Sequence, residues 1–205
     1  MTKLEKRTAS TGVEVRAAEG VRTLVGYAAV FNSSADIGGW FTEIIAPGSF
    51  SNQLGADVRA LVDHDAGRVI GRTKSGTLRL AEDAKGLKVE IDVPNTSDGN
   101  DLWELVSRGD ISGMSFGFRV TKELWDETVE PPVRTIQAVE LAEVSAVAFP
   151  AYDDTEIGKR SLQEWREAHP DESAASDSAA APKTRAVHTK ARLSIGLDLK
   201  LRTKS

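Results

Sequence analysis

Short apolar segments with the alternation of β-strands fill most of the sequence between residues 13 and 149, and residues typical of turns separate them. The clearest pair covers residues 77–83 and 87–93, which predicts a hairpin whose strands each have one apolar face. Pro94 ends the second strand of this hairpin. The whole pattern predicts about seven to nine strands and a few short helices. We therefore predict an α+β fold that is mainly antiparallel β, and closely spaced strands of this kind favour a curled β-barrel.

A helix followed by an apolar strand is predicted between residues 96 and 120. Thr96, Ser97 or Asp98 can cap the start of the helix, and Gly109 suits the left-handed position just after its end. In the strand that follows, Ser115 and Gly117 share one face, while two phenylalanines share the other. A hydroxyl beside a glycine leaves room for another group on that face, and we expect a substrate backbone there.

Composition excludes several classes of protein. The chain has 205 residues, no cysteine and a net charge of −5. Disulfides and thiolate metal sites are therefore excluded, and a general nucleic-acid-binding role is not expected. The sequence has no apolar run long enough to cross a bilayer, and no apolar region follows its charged N-terminus. We expect neither a membrane segment nor a secretory signal.

The composition changes after Tyr152. Residues 151–180 carry 8 acidic and 3 basic side chains, whereas residues 181–205 carry 7 basic and 1 acidic. A short helix around Leu162 and Trp165 is predicted before a segment rich in alanine, serine and aspartate. We predict a folded domain over residues 1–158, an acidic Ala/Ser-rich helix and linker over 159–182, and a basic C-terminal tail over 183–205.

His64 is the first candidate for catalysis. It is the only histidine in the predicted domain, and it follows an apolar strand between Asp63 and Asp65. A histidine accepts a serine proton near neutral pH. The alternative is a surface histidine in a polar loop. No second histidine lies at ligand spacing, so we expect no metal site.

Ser115 is the candidate nucleophile, and the alternative is a serine that fills a tight position in a strand. Residues 113–117 match the Gly-x-Ser-x-Gly pattern, but the strand continues after the serine, which is not the context of an α/β-hydrolase. A third group would orient the imidazole, and the last strand offers Glu140 and Glu143 on opposite faces. Glu143 lies in an apolar run, where a carboxylate needs a partner.

Several motifs occur in one order along the chain, and together they resemble those of the tailed-phage prohead maturation proteases. The resemblance covers about residues 10–155. It is carried by residues 26–32, 43–50, 61–65 with 70–72, 80–83 with 86–87, 109–118, and 141–145 with 150–151.

The resemblance implies a serine endopeptidase with a fold similar to that of the herpesvirus assembly proteases. It makes Ser115 the nucleophile and His64 the general base. An acidic residue of the last strand takes the place that a second histidine holds in the herpesvirus enzymes. Glu143 matches the Leu-x-Glu-Val-Ser pattern for this role, and Glu140 is the runner-up. No cofactor is implied.

The resemblance also implies where such a protein works and with what. The family acts inside the immature capsid, the prohead, in the host cytoplasm. It cleaves the scaffold or the scaffolding segment of the major capsid protein, and it cleaves itself. The basic tail fits a packaging or self-processing segment, and the alternative is a disordered, solvated tail. The herpesvirus relatives act as dimers, so a homo-oligomer is a further implication. The alternative is a non-catalytic capsid assembly or scaffolding factor, and a metal-dependent hydrolase is third.

Overall fold

A computed structural model of the chain describes residues 4–9, 12–18, 20–149 and 155–170, with the side chains of the last helix described from residue 161. The strands in chain order are β1 (Glu5–Ala9), β2 (Glu14–Ala18), β3 (Val21–Val30), β4 (Ala35–Ile37), β5 (Phe41–Ile45), β6 (Arg59–Val62), β7 (Asp65–Arg72), β8 (Leu78–Glu82), β9 (Gly86–Asp92), β10 (Gly113–Asp126) and β11 (Val133–Val147). The α-helices are α1 (Ser97–Arg108) and α2 (Thr155–Ala168), and short 3₁₀ turns cover Ser51–Gln53 and Thr73–Ser75.

The strands form two sheets. The larger sheet has seven strands, with the path β1-β10-β11-β5-β4 and with β6 between β11 and β7. The smaller sheet has four strands in the order β2-β3-β9-β8. Neighbouring strands are antiparallel except where β5 and β6 run parallel to β11. The predicted hairpin is confirmed as the β8–β9 pair.

β11 is the strand that brings distant parts of the chain together. Its first residues pair with β5, and Glu143–Ala146 pair with β6. Along its other edge it pairs antiparallel with β10. The turn that follows β6 and the first residues of β10 therefore lie on either side of the same short stretch of β11.

One apolar cluster lies between the sheets and contains side chains from both of them and from α1. Phe116 and Phe118 are fully buried in it, with ring centroids 4.7 Å apart. The prediction that these two side chains share one face of their strand is confirmed. Because that face is turned to the core, Ser115 and Gly117 face the other side of the sheet.

The predicted helix is confirmed; of its three candidate caps the structure uses Thr96, and Gly109 follows its end as predicted. The Thr96 side chain accepts a hydrogen bond from the backbone N–H of Gly99 at 3.3 Å. Gly109 follows the last turn with a φ of 84°, a conformation that costs glycine little. The helix buries Leu102 and Val106, and it is followed directly by the strand that carries Ser115.

Two features of the larger sheet differ from the sequence-based expectation. The charged segment Glu5–Ala9, which shows little apolar alternation, forms strand β1 at the edge of β10. The last two predicted strands are one continuous strand, β11, which pairs with β10 through several register shifts. Sheet pairing and buried ion pairs stabilise β1, and neither is visible in local sequence.

The predicted helix around Leu162 and Trp165 is confirmed as part of α2, which starts earlier, at Thr155. Leu162 is buried in a second, smaller cluster with Ile37, Phe41 and Trp125. The linker and basic tail beyond residue 170 lie outside the described residues. The division of the chain at residues 158 and 182 stays a prediction.

The α+β class and the predominance of antiparallel pairing are confirmed. The described strands lie in two sheets, and the curled barrel stays a prediction. Among the described residues, no helix is long and apolar enough to span a membrane.

Candidate active site

His64 lies in a two-residue turn between β6 and β7. Val62 and Asp65 pair across this turn, so that Asp63 and His64 are its central residues. Both have positive φ, 53° and 61°, as a type I′ hairpin turn requires. Such turns favour Asn-Gly, and a larger side chain in this region costs roughly 1–2 kcal/mol. A strained turn of this kind is typical of a residue whose side chain must be held in one direction.

The imidazole of His64 contacts the carboxylate of Glu143. The distance from His64 Nδ1 to Glu143 Oε1 is 2.7 Å, and the two side chains are 15% and 11% exposed. Because a carboxylate only accepts hydrogen bonds, Nδ1 is the donor in this contact, and Nε2 is the ring nitrogen that Glu143 does not engage. The pair has the geometry of a base and its orienting group.

The Ser145 hydroxyl forms hydrogen bonds with both Glu143 and the turn that carries His64. This residue was not among the candidates from the sequence. Its hydroxyl donates to Glu143 Oε2 at 2.6 Å and accepts from the backbone N–H of His64 at 3.2 Å. Both oxygens of the Glu143 carboxylate are thus engaged. Strand alternation was the available signal, since Ser145 is two residues after Glu143 and shares its face.

Glu140, the other candidate for the third group, lies elsewhere. Its side chain is 60% exposed and its Oε1 is 3.7 Å from Arg119. It makes no contact with His64 among the described residues. Of the two carboxylates, the structure therefore brings only Glu143 to the histidine.

Ser115 lies near the start of β10, opposite Thr8 of β1 on one side and Ser145 of β11 on the other. It is fully buried, and its hydroxyl donates to the carbonyl oxygen of Arg7 at 2.8 Å. Directly opposed residues of an antiparallel pair share a face, so Ser115 points to the same side as Ser145. In the described part of the chain, no hydrogen bond joins Ser115 to His64.

Gly117 is the residue opposite Glu143 on the neighbouring strand. A Cβ atom built on Gly117 would collide with Glu143 Oε1. The space beside Ser115 that was predicted for a substrate backbone is therefore occupied by the Glu143 carboxylate. The glycine is needed because the carboxylate passes over it on the way to His64.

A buried group of charges lies on the other face of β10. Arg7 and Arg134 form ion pairs with Glu5 and Glu43 at 2.6–3.0 Å, and all four residues are at most 5% exposed. Burial raises the pKa of Glu5, but Arg134 and Arg7 outweigh it and lower that pKa below its usual value. Burial also lowers the pKa of Arg7, and the attraction of Glu43 and Glu5 raises it above its usual value.

Within the described ranges, no group of three or more histidine, aspartate or glutamate side chains has the arrangement of a metal site. The two described histidines, His64 and His169, lie in different parts of the chain, and His169 stacks on Trp165. The structure thus offers acid–base groups at Glu143 and His64 and a hydroxyl at Ser115.

Comparison with known proteins places these features in a family. The family model of the caudovirus prohead serine proteases matches residues 11–168. The chain belongs to this family. The match includes His64, Ser115 and Glu143, and it extends to the end of α2.

Two curated relatives and one solved structure give the extent of the likeness. The chain is 36% identical over 138 residues to the prohead protease of Enterobacteria phage HK97, which is 64% of this chain and 57% of that protein. It is 30% identical over 112 residues to the prohead protease of Escherichia phage T5, covering 52% and 50% of the two chains. The chain thus spans about half the length of these relatives.

The structure of the capsid assembly protease of bacteriophage T4 superposes with a TM-score of 0.51. The superposition covers 71% of this chain and 97% of that one, at 12% identity. This likeness shows a shared fold, and it is independent of the sequence matches to the other two phages.

Proposed function

We propose that this chain is a serine endopeptidase of phage capsid maturation, with Ser115 as nucleophile, His64 as general base and Glu143 as the group that orients the base. The observation that carries the proposal is the 2.7 Å contact between His64 Nδ1 and Glu143 Oε1, on the face of the sheet to which Ser115 points. Membership of the prohead serine protease family supports it.

The proposed reaction is acyl transfer. Ser115 Oγ attacks the scissile carbonyl carbon while His64 Nε2 takes its proton and then returns it to the leaving amine. Glu143 stabilises the imidazolium that forms between these steps. Backbone N–H groups that stabilise the oxyanion contribute roughly 3–4 kcal/mol each. The Ser115 hydroxyl must first turn from Arg7 towards His64.

The proposed substrates are the scaffold or the scaffolding segment of the major capsid protein, together with the chain itself, inside the prohead. The curated relatives named above are prohead proteases, which supports this site of action. A homo-oligomer and a role of the basic tail in packaging or self-processing stay predictions.

A non-catalytic assembly factor is the second candidate. The observation that favours it is the burial of Ser115, whose hydroxyl is bound to Arg7. In that case the fold would be retained for contacts with capsid or scaffold protein.

Co-expression with the capsid and scaffold proteins of the same phage separates the two. The intact masses of the capsid and scaffold proteins are measured after prohead assembly with wild type, with Ser115→Ala and with Ser107→Ala. Ser107 is an exposed serine on α1 and serves as the matched control. We expect new termini in capsid or scaffold protein with wild type and Ser107→Ala, and none with Ser115→Ala. Identical masses in all three, with proheads formed, would contradict the protease and support the assembly factor.

A further inference from the structure

β1 is an edge strand of the larger sheet that pairs with β10 beside the candidate nucleophile, Ser115. It pairs with β10 from Glu5 opposite Phe118 to Ala9 opposite Met114. Extended peptides bind to the edges of sheets in this way, with backbone pairing for affinity and alternate side chains for specificity. The carbonyl oxygen of Arg7 lies 2.8 Å from Ser115 Oγ. Of the peptide bonds in β1, the Arg7–Thr8 bond is therefore the one presented to the nucleophile.

The Arg7 side chain enters a pocket whose chemistry fits arginine. Its Nε and Nη2 donate to the two oxygens of Glu43 at 2.6 and 3.0 Å, which is a bidentate pair. Glu43 is 2% exposed. A cavity of about 200 Å³ adjoins this pair and is lined in part by Thr8, Glu43 and Phe116. The guanidinium fork matches the carboxylate better than a lysine ammonium would.

Glu5 occupies a second subsite, two residues before Arg7 and on the same face of β1. Arg134 Nη1 and Nη2 donate to the two oxygens of Glu5 at 2.9 and 3.1 Å. Lys6 lies between them, is exposed and belongs to the opposite face of the strand. The buried side chains thus contact the glutamate and the arginine of a Glu-x-Arg sequence in β1, and they do not select the residue between them.

The charges of the pocket favour a cation once β1 is removed. Its own residues are Glu43, Arg134 and Glu123, which pairs with Arg134 at 2.6 Å. Two carboxylates and one guanidinium leave one excess negative charge. Arg134 still donates a hydrogen bond to Glu43 Oε2. Glu43 Oε1 loses the hydrogen bond that Arg7 Nε donates to it. A buried carboxylate oxygen without a donor is unfavourable, so a basic side chain is drawn into the pocket.

We propose that Glu43 and Arg134 form the specificity pocket of the protease, selecting arginine immediately before the cleaved bond and glutamate two residues earlier, and that Arg7–Thr8 is its self-cleavage site. This inference rests on the proposed function. Ser115 Oγ bonds to the Arg7 carbonyl carbon, the Arg7–Thr8 C–N bond breaks, and the serine proton passes through His64 to the Thr8 amine. One water then hydrolyses the Arg7 ester, which releases residues 1–7 as a carboxylate and restores Ser115.

The same spacing occurs in the sequence at Glu14–Arg16 and at Glu164–Arg166. Glu14 and Arg16 lie on β2 with side chains 74% and 60% exposed and 4.0 Å apart, far from the arrangement of the buried cluster. They supply a matched control for substitutions in β1.

The first test is the intact mass of the purified full-length chain over time. We expect wild type to lose residues 1–7 and to start at Thr8, and Ser115→Ala to stay whole. Arg7→Glu and Glu43→Arg should each slow this loss by about 10²-fold or more, because both place like charges together. The combined charge swap should restore it, and Arg16→Glu should not change it. An intact Arg7–Thr8 bond in wild type that cleaves capsid protein would overturn the inference.

The second test is independent of the folding of variants, because the changes are made in a peptide. The probe is Leu-Glu-Lys-Arg-Thr-Ala-Ser, the sequence of residues 4–10, given to the wild-type full chain. Replacing its arginine by glutamine should slow cleavage by about 10²-fold or more. Replacing its glutamate should also slow cleavage, and replacing its lysine should have little effect. Equal rates for the three analogues, or no cleavage of any peptide by a chain that cleaves capsid protein, would overturn the pocket.

The two proposals fail in different ways. Loss of the proposed function appears as identical capsid and scaffold masses with wild type and Ser115→Ala. Loss of the specificity pocket alone appears as Ser115-dependent cleavage of those proteins at bonds that lack a preceding arginine.

Discussion

His64 and Glu143 are 79 residues apart in the chain, and their side chains meet at 2.7 Å in the structure. The contact forms because β6 runs parallel to β11 and ends in a two-residue turn that directs the imidazole over the strand. β11 also carries Ser145, whose hydroxyl donates a second hydrogen bond to the Glu143 carboxylate.

Glu143→Gln should reduce the rate of capsid-protein cleavage by about 10³-fold or more. A neutral amide no longer stabilises the imidazolium, and it favours the wrong tautomer of the ring. Glu140→Gln is the matched control, since Glu140 is exposed and paired with Arg119, and its rate should stay within about twofold of wild type. A larger loss in Glu140→Gln than in Glu143→Gln would reverse the assignment.

Ser145→Ala should lower the free energy of unfolding by about 1–3 kcal/mol, because a buried carboxylate oxygen and the His64 N–H both lose their partner. The rate of cleavage should fall as well, since the Glu143 carboxylate is held by one contact fewer. Urea unfolding, measured on a Ser115→Ala background that stays whole, gives the stability. Ser145→Thr, which keeps the hydroxyl, should recover part of both losses, and equal effects of alanine and threonine would contradict the role of the hydrogen bonds.

Gly117→Ala should reduce the rate of cleavage by about 10²-fold, because the added Cβ displaces the Glu143 carboxylate from His64. Gly55→Ala is the control, since a Cβ there meets nothing within 4 Å. Both variants are to be compared by initial rate and by circular dichroism. Full activity of a folded Gly117→Ala protein would show that the carboxylate is not needed where the structure places it.

Asp63→Gly should be more stable than Asp63→Val by about 1–2 kcal/mol, since the residue has a φ of 53° and a β-branched side chain is disfavoured there. Urea unfolding midpoints on the Ser115→Ala background give the difference. The Asp63 side chain is exposed, so packing contributes little to it. Equal stabilities would contradict the left-handed turn before His64.

Acid should destabilise the β1 region through Glu5. Burial raises the pKa of Glu5, but Arg134 and Arg7 lower it further, so it ends below the unfolded value of 4.5. The contribution of Glu5 is therefore complete above about pH 4.5 and is lost as the pH falls towards its folded pKa. In Ser115→Ala, the melting temperature should fall with decreasing pH in this range, and adding Glu5→Gln should make the fall shallower. Parallel curves for the two proteins would contradict the depressed pKa.

Local signals in the sequence sufficed for the elements that local physics specifies. The β8–β9 hairpin followed from alternation and its turn, and α1 followed from capping residues at positions 96–98 and from Gly109 at its end. The face shared by Phe116 and Phe118 followed from the period of a strand. The three residues of the candidate triad came from their chemistry and from the order of motifs along the chain.

The remaining features depend on contacts between distant segments. Strand alternation showed that Glu140 and Glu143 point to opposite sides, but only the pairing of β6 with β11 decided which side meets His64. Strand alternation puts Ser145 on the face of Glu143, but its hydrogen bond with the His64 N–H depends on that pairing.

β1 shows most clearly what the sequence by itself determined and what only the tertiary structure decided. The sequence determined a charged N-terminal segment and a serine on an apolar strand, because residue type and strand period are local properties. The tertiary structure decided that Glu5 and Arg7 are buried and that the Arg7 carbonyl oxygen accepts a hydrogen bond from the Ser115 hydroxyl. The physical reason is that burying charge is favourable only when partners such as Glu43 and Arg134 arrive from other strands, and no local pattern records their arrival.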